Sequence, residues 1–152
     1  MRIRAARADE AAELSGLALR SKAHWGYDDL FMERCRAELT LRADEVERLR
    51  TVVAEQRGRV LGFATLRGEP PVGELGMLFV DPPAIGRGVG RLLFEHTLAT
   101  ARGLGFARLT LDADPNAEAF YRAMGASRVG STRSGSIAGR ELPVMAVELN
   151  GA

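Results

Sequence analysis

Three glycines at alternate positions, Gly86, Gly88 and Gly90, join an apolar strand pattern to an amphipathic helix pattern in the stretch VDPPAIGRGVGRLLFEH, residues 80–96. Such a junction turns the free backbone N–H groups and the positive end of a helix dipole toward a surface without side chains, which suits an anion. Arg87 and Arg91 flank the turn, where charge-assisted hydrogen bonds to a pyrophosphate are within their reach. On the glycines alone, a plain chain-reversing turn stays open. The dinucleotide fingerprint G-x-G-x-x-G requires a glycine where Arg91 stands, and no Gly-Lys-Ser/Thr triplet occurs, so neither familiar phosphate loop is present.

The rest of the chain sets the class of fold. RIRAAR reads as a short strand, and Ala8 to about Lys22 repeats apolar residues at helical spacing. A second helix is expected from about Asp29 to Leu39, after the loop HWGYD. From Leu49 the pattern changes to strands: RTVVAEQ, a turn at Arg57 and Gly58, VLGFATL, then GELGMLFV, an antiparallel meander. A helix from about Gly88 to Arg102, a strand ARLTLDA, a helix from about Pro115 to Met124 and strands around SRVGST and PVMAVEL complete the order. Hairpin-paired strands followed by strands alternating with helices predict an α/β (α+β) fold with a mixed, mostly antiparallel central sheet flanked by helices.

A chain of 152 residues, 46% hydrophobic, is expected to form a single domain over 1–152. Its 21 basic and 20 acidic residues nearly cancel, which argues against nucleic acid or a membrane surface as partner. No apolar run reaches the roughly 20 residues of a membrane span and the first residues lack a secretion-signal core, so a cytoplasmic protein is expected. Two isolated histidines and one cysteine give no metal-ligand spacing, so no metal is expected. Cys35 reads as a half-buried helix residue without the partnered base that would activate it. His96 reads as a hydrogen-bonded packing residue on its helix.

Two stretches together carry a family resemblance. MLFVDPPAIGRGVGRLLF and LTLDADPNAEAFYRAMGAS, in that order and spaced by one helix and one strand, resemble the two signatures of the GCN5-related N-acetyltransferase (GNAT) family, over residues 48–149. The Arg or Gln usual at the head of the turn is Ile85 here. The resemblance implies acetyl-CoA as acetyl donor, its pyrophosphate on the amides of Gly86, Arg87, Gly88, Val89, Gly90 and Arg91. It also implies that the strands at about 73–80 and 106–113 splay apart, so that pantetheine pairs with the backbone of Leu78, Phe79 and Val80 as an added strand would. Asn116 is implied as a contact to pantetheine or acceptor, the alternative being a helix cap. Tyr121 is implied as the acid that protonates the departing thiolate, direct transfer in a ternary complex as the mechanism, and the loop at 21–29 as overhanging the acceptor.

Acyl transfer to an amine also needs a proton acceptor, because an amine of pKa near 10 attacks only when neutral. Glu74, Asp112 and His24 are candidates as base or water relay, each with a solvated or packing role as the plainer alternative. His24, Trp25 and Tyr27 concentrate aromatic surface in one loop and are expected to line the acceptor pocket or bury against the body. Arg140, in the glycine-rich loop SGSIAGRELP, is expected either to meet an acceptor carboxylate or to stay solvated. The acceptor expected is a primary amine of a small molecule or peptide, the protein being a monomer or homodimer. The rival readings are a CoA-binding sensor without turnover and a nucleotide-binding module.

Overall fold

The computed structural model describes residues 1–149. Seven strands form one sheet: β1 (Arg2–Ala5), β2 (Val52–Gln56), β3 (Arg59–Arg67), β4 (Val72–Val80), β5 (Arg108–Asp112), β6 (Ser127–Arg133) and β7 (Glu141–Glu148). Their spatial order is β1-β2-β3-β4-β5-β7-β6, antiparallel at every pairing except β4 with β5. Helices α1 (Ala11–Ala23) and α2 (Asp29–Cys35) cover one face, and α3 (Val89–Gly103) and α4 (Glu118–Ala123) the other, each pair over its own apolar cluster. None of the described helices is long and apolar enough to cross a membrane.

Local chemistry explains most boundaries. The β2–β3 hairpin turns on Arg57 and Gly58, both in left-handed backbone (φ 53° and 77°), the twist that closes a two-residue hairpin. Asp28 caps α2 by accepting from the Phe31 N–H at 2.8 Å. That helix stops at Cys35, four residues short of the end expected from sequence. Beyond it the chain tightens into three-residue turns, with Leu39 N–H donating to Arg36 and Thr40 N–H to Ala37, which buries Leu39 and Leu41 under the sheet. Cys35 is therefore fully buried rather than half-buried, and burial pushes its thiol up. The helix expected from Pro115 to Met124 opens as a 3-10 turn over Pro115–Ala117 before α4 begins, because Asp114 and Pro115 set a tight first turn. His96 is half-buried on α3 and makes no side-chain hydrogen bond among the described residues, against the expectation of a bonded histidine. The polar group that α3 does satisfy internally is the neighbouring Thr97, which donates to the Leu93 carbonyl at 2.9 Å.

Two details of β4 shape both of its edges. Pairing with β3 runs Thr65 to Met77 and then Leu66 to Leu75, so Gly76 is an extra residue that bends the strand. The Thr65 hydroxyl accepts the Met77 N–H at 2.9 Å, and a Cβ on Gly76 would come within 3.0 Å of that oxygen. On its other edge β4 meets β5 only through Val72, Gly73 and Glu74, opposite Arg108, Leu109 and Thr110. The strands run together for three residues and then separate.

At the far edge of the sheet, β1 and α1 are tied by a nearly dry ion network. Arg4 donates to both carboxylate oxygens of Glu10 at 2.9 Å and to Glu55 at 2.8 Å, and the Glu10 side chain is 4% exposed. The Arg4 bonds, with help from the Arg7 N–H and against burial, hold the Glu10 carboxyl down to about 2, below its ordinary 4.5. A carboxylate depressed in the folded state stabilises the fold above its unfolded pKa and loses that contribution as pH falls through the folded one. Stability should therefore drop by on the order of 3 kcal/mol as the pH is lowered from above 4.5 toward 2. In denaturant titrations Glu10→Gln should be less stable at neutral pH and should lose most of this acid dependence; an unchanged slope would show that Glu10 does not carry it.

Candidate active site

The separation of β4 and β5 opens a cleft of about 710 Å³. Its first wall is the free edge of β4. Met77 and Asp81 both direct their N–H groups toward β3, to the Thr65 hydroxyl and the Leu61 carbonyl. Since an antiparallel strand alternates which side its backbone groups face, Phe79 pairs with Phe63 on β3, and Leu78 and Val80 turn their N–H and C=O toward the cleft. Of the three residues expected to offer backbone to a ligand, two face it and Phe79 faces away.

The cleft runs from that edge to the start of α3. Gly86 and Gly88 have φ of 86° and 81°, a backbone that side-chain-bearing residues rarely adopt, and no atom lies within 4 Å of where their Cβ atoms would be. Gly88 is the N-cap of α3 and offers no side chain to the helix. Among the described residues, the N–H groups of Gly88, Val89, Gly90 and Arg91 find no acceptor. Gly90 serves a different end: a Cβ there would press on the Phe120 ring at 3.4 Å, so the glycine lets α3 and α4 approach across the cleft. The flanking arginines divide. Arg91 borders the cleft and pairs with Glu95 at 2.9 Å, whereas Arg87 turns out of it to the Gln56 side chain. Ile85 lies at the cleft wall, 47% exposed. A helix start with four unsatisfied donors and a bare glycine surface fits a pyrophosphate without help from either arginine.

Tyr121 stands on the α4 side, 7% exposed, with its ring edge-on to Phe94 and Phe120 at 5.6 and 5.1 Å. The residue borders the cleft, and its hydroxyl has no hydrogen-bond partner among the described residues. Burial, with the negative charge of Asp114 in support, pushes this phenol far above its ordinary 10, so it stays protonated at neutral pH.

The two carboxylates expected from sequence both border the cleft, one from β4 and one from β5. Glu74 is the last residue of β4 paired with β5, and Asp112 lies two residues beyond its partner Thr110, on the same face. Arg67 donates to Glu74 at 2.8 Å. Burial and the like charge of Glu74 raise the Asp112 carboxyl above its ordinary range, with Arg67 opposing. His24 and Trp25 border the cleft mouth and are solvent-exposed, Trp25 by 50%.

Tyr27 and Arg140 lie elsewhere. Both belong to a polar cluster that sequence reasoning missed, centred on Asp114. That carboxylate accepts from Tyr27 at 2.9 Å, Lys22 at 3.2 Å, Arg140 at 3.3 Å and the backbone and side chain of Asn116 at 2.9 and 3.0 Å. The Tyr27 ring stacks on Phe31 at 4.0 Å, and the Arg140 guanidinium covers both rings. Burial opposes charge on Asp114, but the Asn116 N–H, Lys22 and Tyr27 together hold its carboxyl below the usual range. Asn116 is thus a strut of this cluster, and the cap at this turn is Asp114. The available signal was the Asp-Pro-Asn start of a helix, which marks Asp114 as an N-cap but says nothing of Tyr27, 87 residues earlier.

A sequence model of the acetyltransferase (GNAT) family matches residues 16–126. The chain is 31% identical over 91 residues to serotonin N-acetyltransferase 2, chloroplastic, of Oryza sativa subsp. japonica, covering 59% of this chain and 46% of that protein. It is 30% identical over 94 residues to peptidyl-lysine N-acetyltransferase YjaB of Salmonella typhimurium, covering 62% and 60%. The chain thus spans about half the length of the curated relatives it matches. The crystal structure of PaiA N-acetyltransferase from Thermoplasma acidophilum in complex with coenzyme A shares the fold, with a TM-score of 0.81, 18% identity and coverage of 97% of this chain and 98% of that one.

The coupling of the two wall carboxylates is measurable. Replacing Glu74 by Gln removes the like charge and frees Arg67, and both changes favour ionised Asp112. Carboxyl-detected NMR titration should show Asp112 ionising at lower pH in Glu74→Gln; no shift, or one upward, would mean that the two groups do not interact.

Proposed function

The chain belongs to the acetyltransferase (GNAT) family, and on that premise we propose that it moves an acetyl group from acetyl-CoA to a primary amine of a small molecule or peptide, by direct transfer in a ternary complex. The observation that carries the reading is the free edge of β4 leading straight to the uncapped start of α3. One surface offers backbone pairing to an extended amide chain and, at its end, unsatisfied N–H groups to a pyrophosphate. The coenzyme A complex of the similarly folded PaiA enzyme supports the same choice of ligand.

Acetyl-CoA supplies an activated thioester, and the chain's own groups have three tasks. Leu78 and Val80 align the donor arm through main-chain bonds, and the Gly88–Arg91 amides anchor its charged end. Asp112, helped by Glu74, takes up the proton that the acceptor ammonium must lose, directly or through water; its raised pKa brings it closer to that of the amine. Tyr121, held protonated and with no hydrogen-bond partner for its hydroxyl among the described residues, donates to the sulfur as the thiolate departs. His24 and Trp25 border the acceptor's entrance, while Tyr27 and Arg140 shape it from behind through Asp114.

A thiol-release assay with acetyl-CoA and a panel of primary amines tests the reading; tight CoA binding without release across a broad panel would favour a sensor. Tyr121→Phe should lower kcat by about a hundredfold or more, the usual contribution of a proton donor, and leave CoA affinity within a factor of about three. Gly88→Val should instead abolish CoA binding, because a β-branched residue cannot hold φ of 81°. The opposite pattern would remove both roles.

A further inference from the structure

A second cavity of about 380 Å³ lies between the tip of the β2–β3 hairpin and the segment joining β4 to α3, with Ala84 forming part of its wall and of the main cleft's. Three arginines border it, Arg57, Arg59 and Arg87, against one carboxylate, Asp81. The local balance is three positive charges against one negative, a net of +2, in a protein whose overall charge is +1.

The arginines are not there to hold one another's acids. Asp81 is shared, one oxygen pairing with Arg20 at 3.2 Å from outside the cavity and the other with Arg59 at 3.8 Å, so this one carboxylate already serves two arginines. Arg87 is held by the neutral Gln56 side chain, and Arg57 makes no ion pair or side-chain hydrogen bond among the described residues. Guanidinium groups that outnumber the nearby carboxylates repel, and the arrangement costs least when a further anion lies between them. A tetrahedral phosphate monoester carries close to two negative charges at neutral pH and several acceptor oxygens, matching the excess charge and the planar donor forks.

We propose that this cavity binds a phosphate monoester dianion, with Arg57, Arg59 and Arg87 as its ligands. The dianion has two possible sources: the ribose 3′-phosphate of coenzyme A already seated on the glycine turn, which rests on the acetyl-CoA reading, or a free phosphate that does not. The shared wall at Ala84 puts either one beside the pyrophosphate cradle.

Calorimetric titration separates these. CoA, 3′-dephospho-CoA and inorganic phosphate, the last added to CoA-saturated protein, are titrated into the wild-type chain and into Arg57→Gln/Arg59→Gln. Both replaced side chains are exposed, and matching melting curves confirm an intact fold. If the 3′-phosphate is the ligand, loss of that phosphate weakens wild-type binding about tenfold or more, the double variant weakens CoA equally, and the variant no longer distinguishes the two. A free-phosphate site instead shows equal affinities for CoA and 3′-dephospho-CoA, with phosphate binding that the variant loses. Arg57→Lys/Arg59→Lys should retain part of either effect, since point charge survives without the fork. No 3′-phosphate preference together with no phosphate binding overturns the proposal. If CoA fails to bind wild-type protein at all, the donor reading falls, and the phosphate titration on the free chain still decides the cavity.

Discussion

The main cleft and the chemistry proposed for it depend on two strands that pair for three residues and then part. Hydrogen bonding along β4 and β5 ends at Glu74 and Thr110, so the rest of β4 carries backbone donors and acceptors with no strand to meet them. An unpaired strand edge invites another extended chain. Here it is sheltered: β3 continues along the opposite side of β4, α3 and α4 close over one face, and only the cleft has access. The bulge at Gly76 bends β4 at the point of parting, and β7 holds β5 on its other side through Asp112. The opening is therefore built into the sheet and needs no loop to maintain it.

The glycine turn gains its meaning from that edge. A helix N-terminus anywhere offers unsatisfied donors, but this one lies at the end of a strand whose free edge leads directly to it. Backbone rather than side chains carries the binding surface, which explains how Ile85 can stand where the family usually has Arg or Gln. The side chains proposed for the chemistry border the same cleft, Tyr121 from α4 and Glu74 with Asp112 from β4 and β5. Burial acts on both kinds of group. An apolar aromatic setting keeps the phenol neutral, and burial with the like charge of Glu74 biases Asp112 toward taking up a proton.

Asp114 joins parts of the chain that no local pattern relates. Lys22 and Tyr27 come from the end of α1 and the following loop, Asn116 from the start of the α4 region, and Arg140 from the β6–β7 loop. One half-buried carboxylate thereby ties these segments together beside the cleft. The same charge reaches Tyr121 and helps keep it protonated, so this scaffold and the state of the proposed proton donor share a single group.

By itself the sequence determined the order of elements and the chemistry of the turn. Period-two and period-3.6 patterns, the Arg57-Gly58 hairpin and the strand–glycine–helix junction are local features that backbone sterics enforce, and they hold in the fold with the larger shifts at the starts of α1 and α4, where Ala8–Glu10 and Pro115–Ala117 form 3-10 turns, and at the end of α2. The two signatures likewise led to Tyr121 and to the open strand edge. Tertiary structure alone decided which side chains meet. Arg87 leaves the cleft for Gln56, Arg140 is bound to Asp114, and the Phe79 backbone pairs with β3, because those outcomes depend on strand register and on partners far along the chain. A residue type at a spacing limits what a group can do; the long-range packing that chooses its neighbours determines its charge state, its exposure and its task.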